Sequence, residues 1–206
     1  MSSTPLRLLL IEDSEDDAIL LLRMLRRGGY EPFPERVDSA AAMQAALAKQ
    51  EWDLIIADYV IPGFGGLAAV QLLKDLGLDI PFIMVSGQMG EETAVAAMKA
   101  GAHDYLRKDN LARLVPAIGR ELREAEVRRA RNQAIEALRE SEERFRQLAQ
   151  NIDVAFFMVA CKAGGRGGLD RVVYASPAYE AIWGRSCQGL QARADAWLES
   201  VDPEDL

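Results

Sequence analysis

Cysteine, positive charge and long apolar runs are all scarce in this chain of 206 residues. Two cysteines, Cys161 and Cys187, are too few for a disulfide framework, so a cytoplasmic protein with free thiols is expected. Lysine and arginine number 24 against 32 acidic residues, a net charge of -8. Nucleic-acid phosphates and anionic membrane surfaces need a basic face, so neither is expected as a partner. The first apolar run starts at Leu6 and meets Glu12-Asp13 about six positions later, too soon for a signal peptide or a membrane span. No other stretch is long enough to cross a bilayer. Half the residues are hydrophobic and 27% are charged, the ordinary mixture of a soluble globular protein. The length allows one or two domains, one of them large enough for a full core.

What is present is an alternation of strand and helix patterns. Residues 6–11 are apolar apart from Arg7, as a strand buried on both faces requires. Helical spacing follows over residues 16–27 (Ile19, Leu22, Leu25) and stops at Gly28-Gly29. A second strand is expected at residues 33–37. Pro32 and Pro34 suit only a sheet edge, which is where it is placed. Ser39 is positioned to cap an alanine-rich helix reaching about Gln50. Strands at residues 54–58, 81–86 and 104–106 then alternate with helices at 66–76, 91–100 and from Leu111 onward. The fold class is α/β: a doubly wound, five-stranded parallel sheet with helices on both faces. In such sheets the site lies at the carboxyl ends of the strands.

Between residues 111 and 152 arginine, glutamate, alanine and glutamine dominate, and neither glycine nor proline occurs after Gly119. Apolar residues recur at Leu111, Leu114, Ile118, Leu122 and Ala125, then at Val127, Ala130, Ala134, Leu138, Phe145, Leu148 and Ile152. The spacings are mostly three and four, with one register break between Ala125 and Val127. One long helix is expected, able to pair with a second copy of itself as a homodimer. A solvated single helix held by Glu–Arg pairs is the alternative. Residues 151–206 carry strand patterns at 154–160 and 171–175 around a turn at Gly164-Gly165-Arg166-Gly167-Gly168. Two strands make a poor independent core, so this region reads as part of a domain.

The strand tips carry the chemistry. The first strand ends in Glu12-Asp13, the third in Asp58 and the fourth in Ser86, and the fifth is followed by Lys108. Crowded carboxylates repel one another, and a hard divalent cation resolves that repulsion. A carboxylate nucleophile, a metal, an ammonium and a hydroxyl make a phosphoryl-transfer site, in which catalysis is mainly positioning and charge neutralisation. Taken singly, Asp58 is as readily a helix cap, Lys108 a solvated charge, Ser86 a turn former and Tyr105 a half-buried sheet residue. His103, the only histidine, lies on a loop before the fifth strand and is expected to be exposed and idle.

Ile11-Glu12-Asp13, the run from Asp58 to Gly66, Val85-Ser86-Gly87 and Asp104-Tyr105-Leu106-Arg107-Lys108 resemble the receiver domain of two-component response regulators. The resemblance implies a flavodoxin-like strand order of 2-1-3-4-5. It makes Asp58 the phosphoacceptor for a histidine kinase or phosphotransfer protein. Asp13, Glu12, Asp58 and the carbonyl of Val60 become the ligands of Mg²⁺ or Mn²⁺. Lys108 and Ser86 bind the phosphoryl group, and Ser86 and Tyr105 form the switch. Val60 has no side chain able to orient an attacking water, whereas Gln88 has one, so moderate to slow hydrolysis of the phosphoaspartate is expected. Receivers often have Lys-Pro where this chain has Lys108-Asp109.

Residues 140–148 (Glu-Ser-Glu-Glu-Arg-Phe-Arg-Gln-Leu), residues 172–179, Trp183-Gly184-Arg185-Ser186 and Val201-Asp202-Pro203-Glu204 resemble the first half of a PAS sensory domain. The expected organisation is a receiver at 1–125, a signalling helix at 126–148 and the first part of a PAS domain at 149–206. That order resembles the front of a hybrid sensor histidine kinase, although a diguanylate cyclase could begin the same way. Two readings of another class stay open. One is a dimerising module with a receiver fold that is never phosphorylated. The other is a haloacid-dehalogenase-like hydrolase, which would want Asp-x-Asp on the first strand, where Glu12-Asp13 stands.

Overall fold

The computed structural model describes residues 3–87, 91–150, 154–161 and 169–192. The chain divides into two compact units, Met1–Arg131 and Asn132–Leu206.

The first unit opens with β1 (Thr4–Ile11), whose last four residues are all buried. Ser14 then caps α1 (Glu15–Arg27) by accepting a hydrogen bond from the Asp17 amide, and Glu15, Asp16 and Asp17 place acidic charge in its first turn. The helix ends at Gly28, and Gly29 takes a φ of +87°, the left-handed region that glycine reaches without strain. Next come β2 (Tyr30–Val37), α2 (Ala40–Lys49), β3 (Leu54–Asp58) and α3 (Gly66–Asp75). They are followed by β4 (Phe82–Ser86), α4 (Glu91–Ala100), β5 (Asp104–Arg107), a 3-10 turn at Leu111–Arg113 and α5 (Leu114–Gln150). The five strands pair in parallel in the order β2-β1-β3-β4-β5. The proline-bearing strand is an edge, as expected, and it begins three residues earlier than the proline pattern alone suggested.

Alternation along the strands sends side chains to two cores. Leu9, Ile11, Ile55, Ala57, Phe82 and Met84 pack with residues of α2, α3 and α4, among them Met43, Val70, Leu73 and Ala97. Leu8, Leu10, Leu54, Ile56, Ile83 and Val85 pack with Leu21 and Leu25 of α1 and Leu114 and Ile118 of α5. Helices on both faces bury both sides of the sheet, which explains why its central strands are uninterrupted apolar runs.

Pro116 falls in the first turn of α5, where a missing amide costs nothing. Ala125 is buried, whereas Val127 is 69% exposed. The register break in the sequence is therefore the point at which the helix ceases to pack on the sheet.

In the second unit, β6 (Phe157–Cys161) and β7 (Leu169–Ala175) form an antiparallel pair, followed by α6 (Ala178–Trp183) and α7 (Cys187–Ala192). Val172, Ala175, Tyr179 and Leu190 form a small core. The glycine turn at 164–168, Ile152 and the motif at 201–204 lie outside the described residues. Among the described residues, no helix is long and apolar enough to cross a membrane.

Candidate functional site

Parallel register brings the strand tips together. Ile11 of β1 pairs with Ala57 of β3, Asp58 with Val85 of β4, and Ser86 with Arg107 of β5. Glu12, Asp58 and Lys108 each stand at the end of a strand or one residue beyond it. The amide of Lys108 donates to the carbonyl of Ser86 at 2.8 Å, which fixes the lysine beside β4.

Lys108 is the centre of the pocket. Its Nζ lies 2.9 Å from Glu12 Oε2, 2.6 Å from Asp58 Oδ2 and 2.5 Å from Asp17 Oδ2. An ammonium has three N–H donors, and all three are committed. Burial works against the Lys108 charge, but the bonds to Asp17, Asp58 and Glu12 outweigh it and raise its pKa. Glu12 is fully buried. Burial raises its pKa, opposed by Lys108 and by the Ser14 amide, which donates to Glu12 Oε1 at 3.1 Å.

Asp58 is 8% exposed, and its second oxygen accepts from the Val60 amide at 3.1 Å. The loop after Asp58 turns back tightly: the Gly66 amide donates to the Tyr59 carbonyl at 3.3 Å. A β-carbon on Gly65 would lie 2.5 Å from that same carbonyl oxygen, so only glycine fits there. Gly63 takes a φ of +81° in the same loop.

Of the residues singled out in the sequence, Glu12, Asp58 and Lys108 meet in one pocket, and Ser86 is buried beside it at the end of β4. Tyr105 is half-buried and packs against the core shared with α2, α3 and α4. The Val60 side chain is exposed. Asp13 is exposed and is not one of the three carboxylates that gather within 4.8 Å of one another. Gln88 lies outside the described residues.

The third carboxylate is Asp17, in the first turn of α1, which was not among the residues singled out in the sequence. Nothing in its spacing marks it, because the lysine that it meets is 91 residues away. His103 also differs from expectation. It is half-buried, and its Nδ1 accepts from the Phe82 amide at 3.1 Å, supplying the partner that β5, starting one residue later, does not.

Glu12, Asp17 and Asp58 carry three negative charges against the single positive charge of Lys108. The donors are all hard oxygens and the excess is negative, so the set fits a hard divalent cation such as Mg²⁺ or Mn²⁺.

Fold and pocket define the class: a doubly wound α/β domain with an acid–lysine pocket at its strand tips. The response regulator receiver domain family matches residues 8–119, and a PAS domain family matches residues 143–206. The chain belongs to the response regulator receiver family, and its receiver domain is followed by a PAS domain. It is 31% identical over 105 residues to the phosphate regulon transcriptional regulatory protein PhoB of Klebsiella pneumoniae, covering 50% of this chain and 44% of that one. It is 34% identical over 102 residues to the transcriptional regulatory protein PrrA of Mycobacterium bovis, covering 50% and 43%. The crystal structure of NtrX from Brucella abortus superposes with a TM-score of 0.56 at 26% identity, covering 65% of this chain and 30% of that one. The chain thus spans under half the length of the curated relatives it matches.

Proposed function

We propose that Asp58 accepts a phosphoryl group from a histidine kinase or phosphotransfer protein, and that this switches the receiver surface. The observation that carries the reading is the three-way clamp on Lys108, which places an ammonium 2.6 Å from Asp58 in a pocket sheltered from water. Glu12, Asp13, Asp58 and the Val60 carbonyl are the proposed ligands of Mg²⁺ or Mn²⁺. A bound cation would neutralise charge on the transferring phosphoryl oxygens. Asp58 attacks phosphorus, and the donor's leaving group departs. Lys108 and Ser86 hold the oxygens of the phosphoryl group, and Ser86 with Tyr105 transmits the change. Val60 and Gln88 set the rate of its hydrolysis.

The proposed division is a receiver at 1–125, a signalling helix at 126–148 and a PAS region at 149–206. Order along the chain supports a signal passing through the helix to the PAS domain and an output, as in a cytoplasmic hybrid sensor histidine kinase. Exposed Val127 and Leu138 support self-pairing of the helix in a homodimer.

The test is intact-mass analysis after incubation with acetyl phosphate and Mg²⁺. The wild type gains a single phosphoryl group and Asp58→Asn gains none. An unmodified wild type, with the fold intact by circular dichroism, would leave an inert receiver-fold module in its place.

A further inference from the structure

We infer that Asp17 is a positioning residue: it holds Lys108 in the resting state and is the partner that the ammonium exchanges for a phosphoryl oxygen. The inference rests on the phosphoacceptor reading above and adds to it the residue that sets the resting balance.

Lys108 has three donors and three carboxylate partners, so it has no N–H to spare for a newcomer. Binding a phosphoryl oxygen therefore requires one partner to leave. Glu12 is the wrong one to release. It is fully buried, so water cannot take the ammonium's place beside it. Asp58 carries the phosphoryl group itself and moves with it. Asp17 differs from both, because its side chain is 39% exposed against 0% for Glu12 and 11% for Asp58. Water can replace the ammonium at Asp17 at small cost.

Location supports the exchange. Asp17 belongs to the capped first turn of α1, and its own amide donates to Ser14 Oγ at 3.3 Å. The helix is anchored independently of Lys108 by that cap and by Ala18, Leu21 and Leu25 in the core. Losing Lys108 frees the Asp17 carboxylate without unseating α1. Two effects then point the same way. Asp17 competes with the phosphoryl group for one ammonium, and its charge repels an arriving dianion. Neutralising it stabilises the phosphorylated arrangement relative to the resting one.

The experiment measures beryllofluoride binding, as a phosphoryl mimic on Asp58, by calorimetry on the full chain at saturating Mg²⁺. Asp17→Asn is expected to bind the mimic about three- to tenfold more tightly, because a competing contact to the ammonium is gone. Asp17→Glu, which restores a carboxylate, returns the affinity toward wild type. Asp16→Asn removes an equal charge at the exposed neighbour and shifts affinity by less than about twofold, as a screened surface charge should. The ¹⁵Nζ resonance of Lys108 supplies a readout that a merely structural role would leave alone. It moves on adding the mimic to wild type, and in Asp17→Asn it is already displaced from the resting position.

Failure has separable forms. Wild type that does not bind the mimic, with Asp58→Asn indistinguishable from it, defeats the phosphoacceptor reading itself. Wild type that binds while Asp17→Asn is unchanged or weaker defeats the exchange alone, as does equal tightening by Asp16→Asn. A loss of Mg²⁺ affinity in Asp17→Asn as large as in Asp13→Asn makes Asp17 a metal ligand instead and also overturns the inference.

Discussion

At the scale of single residues, His103 shows how a side chain becomes structural through its neighbours. Its Nδ1 accepts the Phe82 amide, so Nε2 must carry the proton when the ring is neutral. The approach of Arg128 Nη2 to Nε2 at 3.2 Å is then a meeting of two donors rather than a hydrogen bond. Arg128 is held there by Asp79, through contacts of 2.9 and 3.2 Å. Burial first, and the Arg128 charge second, push the His103 pKa below its usual 6.5. With the folded value depressed, the unfolded chain binds more protons as pH falls below about 6.5, and the stability contributed by neutral His103 is lost in that range. Urea midpoints measured from pH 7.5 down to 5 should therefore fall more steeply for wild type than for His103→Gln. Parallel slopes would remove the histidine from the account. Neither His103 nor Asp17 was legible in the sequence. Each depends on a partner at least 21 residues away, Phe82 for the first and Lys108 for the second. Periodicity carries no information on which distant donor a lone polar side chain will meet.

At the scale of elements, most of the receiver could be read directly. The apolar runs of β1, β3 and β4 signalled burial on both faces, the prolines of β2 signalled an edge, and Ser39 caps α2 as expected, whereas the Ser14 cap of α1 emerged only in the fold. What could not be read was the tightness of the β3–α3 loop. Gly65 has an ordinary extended backbone, so φ does not demand glycine. The demand comes from the Tyr59 carbonyl, 2.5 Å from where a β-carbon would sit. Backbone cannot rotate aside as a flexible side chain can. Gly65→Ala should destabilise the fold by about 1–3 kcal/mol, since the loop or α3 must shift. The clash also bears on function, because the same loop carries the Val60 amide that bonds to Asp58. Denaturant unfolding followed through buried Trp52, with Trp183 and Trp197 replaced by Phe, would measure it. Gly63→Ala in the same loop provides the contrast, because its φ of +81° is strained by any side chain although nothing crowds the position. A Gly65→Ala cost no larger than a few tenths would show that the loop has room to spare.

At the scale of the whole molecule, α5 is the element that belongs to both units, and it satisfies two descriptions at once. Arg139 pairs with Glu143 and Arg144 with Glu140 at i,i+4, the pattern of a helix able to stand in water. Yet Val127 is 69% and Leu138 63% exposed, and their spacing of eleven residues returns a helix to nearly the same face. Phe145 continues that face, but its ring meets Phe156 and Tyr174 edge-on at 6.2 and 5.2 Å within the second unit. The sequence stripe thus has two fates. Its C-terminal part is used within the chain, and the part around 127–138 stays exposed, the face that the proposed self-pairing would use. Alanines at 130 and 134 and an arginine at 131 make that seam shallow, so pairing should be weak and concentration-dependent. Sedimentation velocity across a concentration series should show wild type passing from monomer to dimer. Val127→Glu with Leu138→Glu should remain monomeric throughout while still accepting one phosphoryl group on Asp58. The double variant leaves the acid–lysine pocket untouched, so loss of both properties would mean misfolding, which circular dichroism detects. A wild type that stays monomeric at every concentration would leave the i,i+4 pairs as the sole support of the exposed helix.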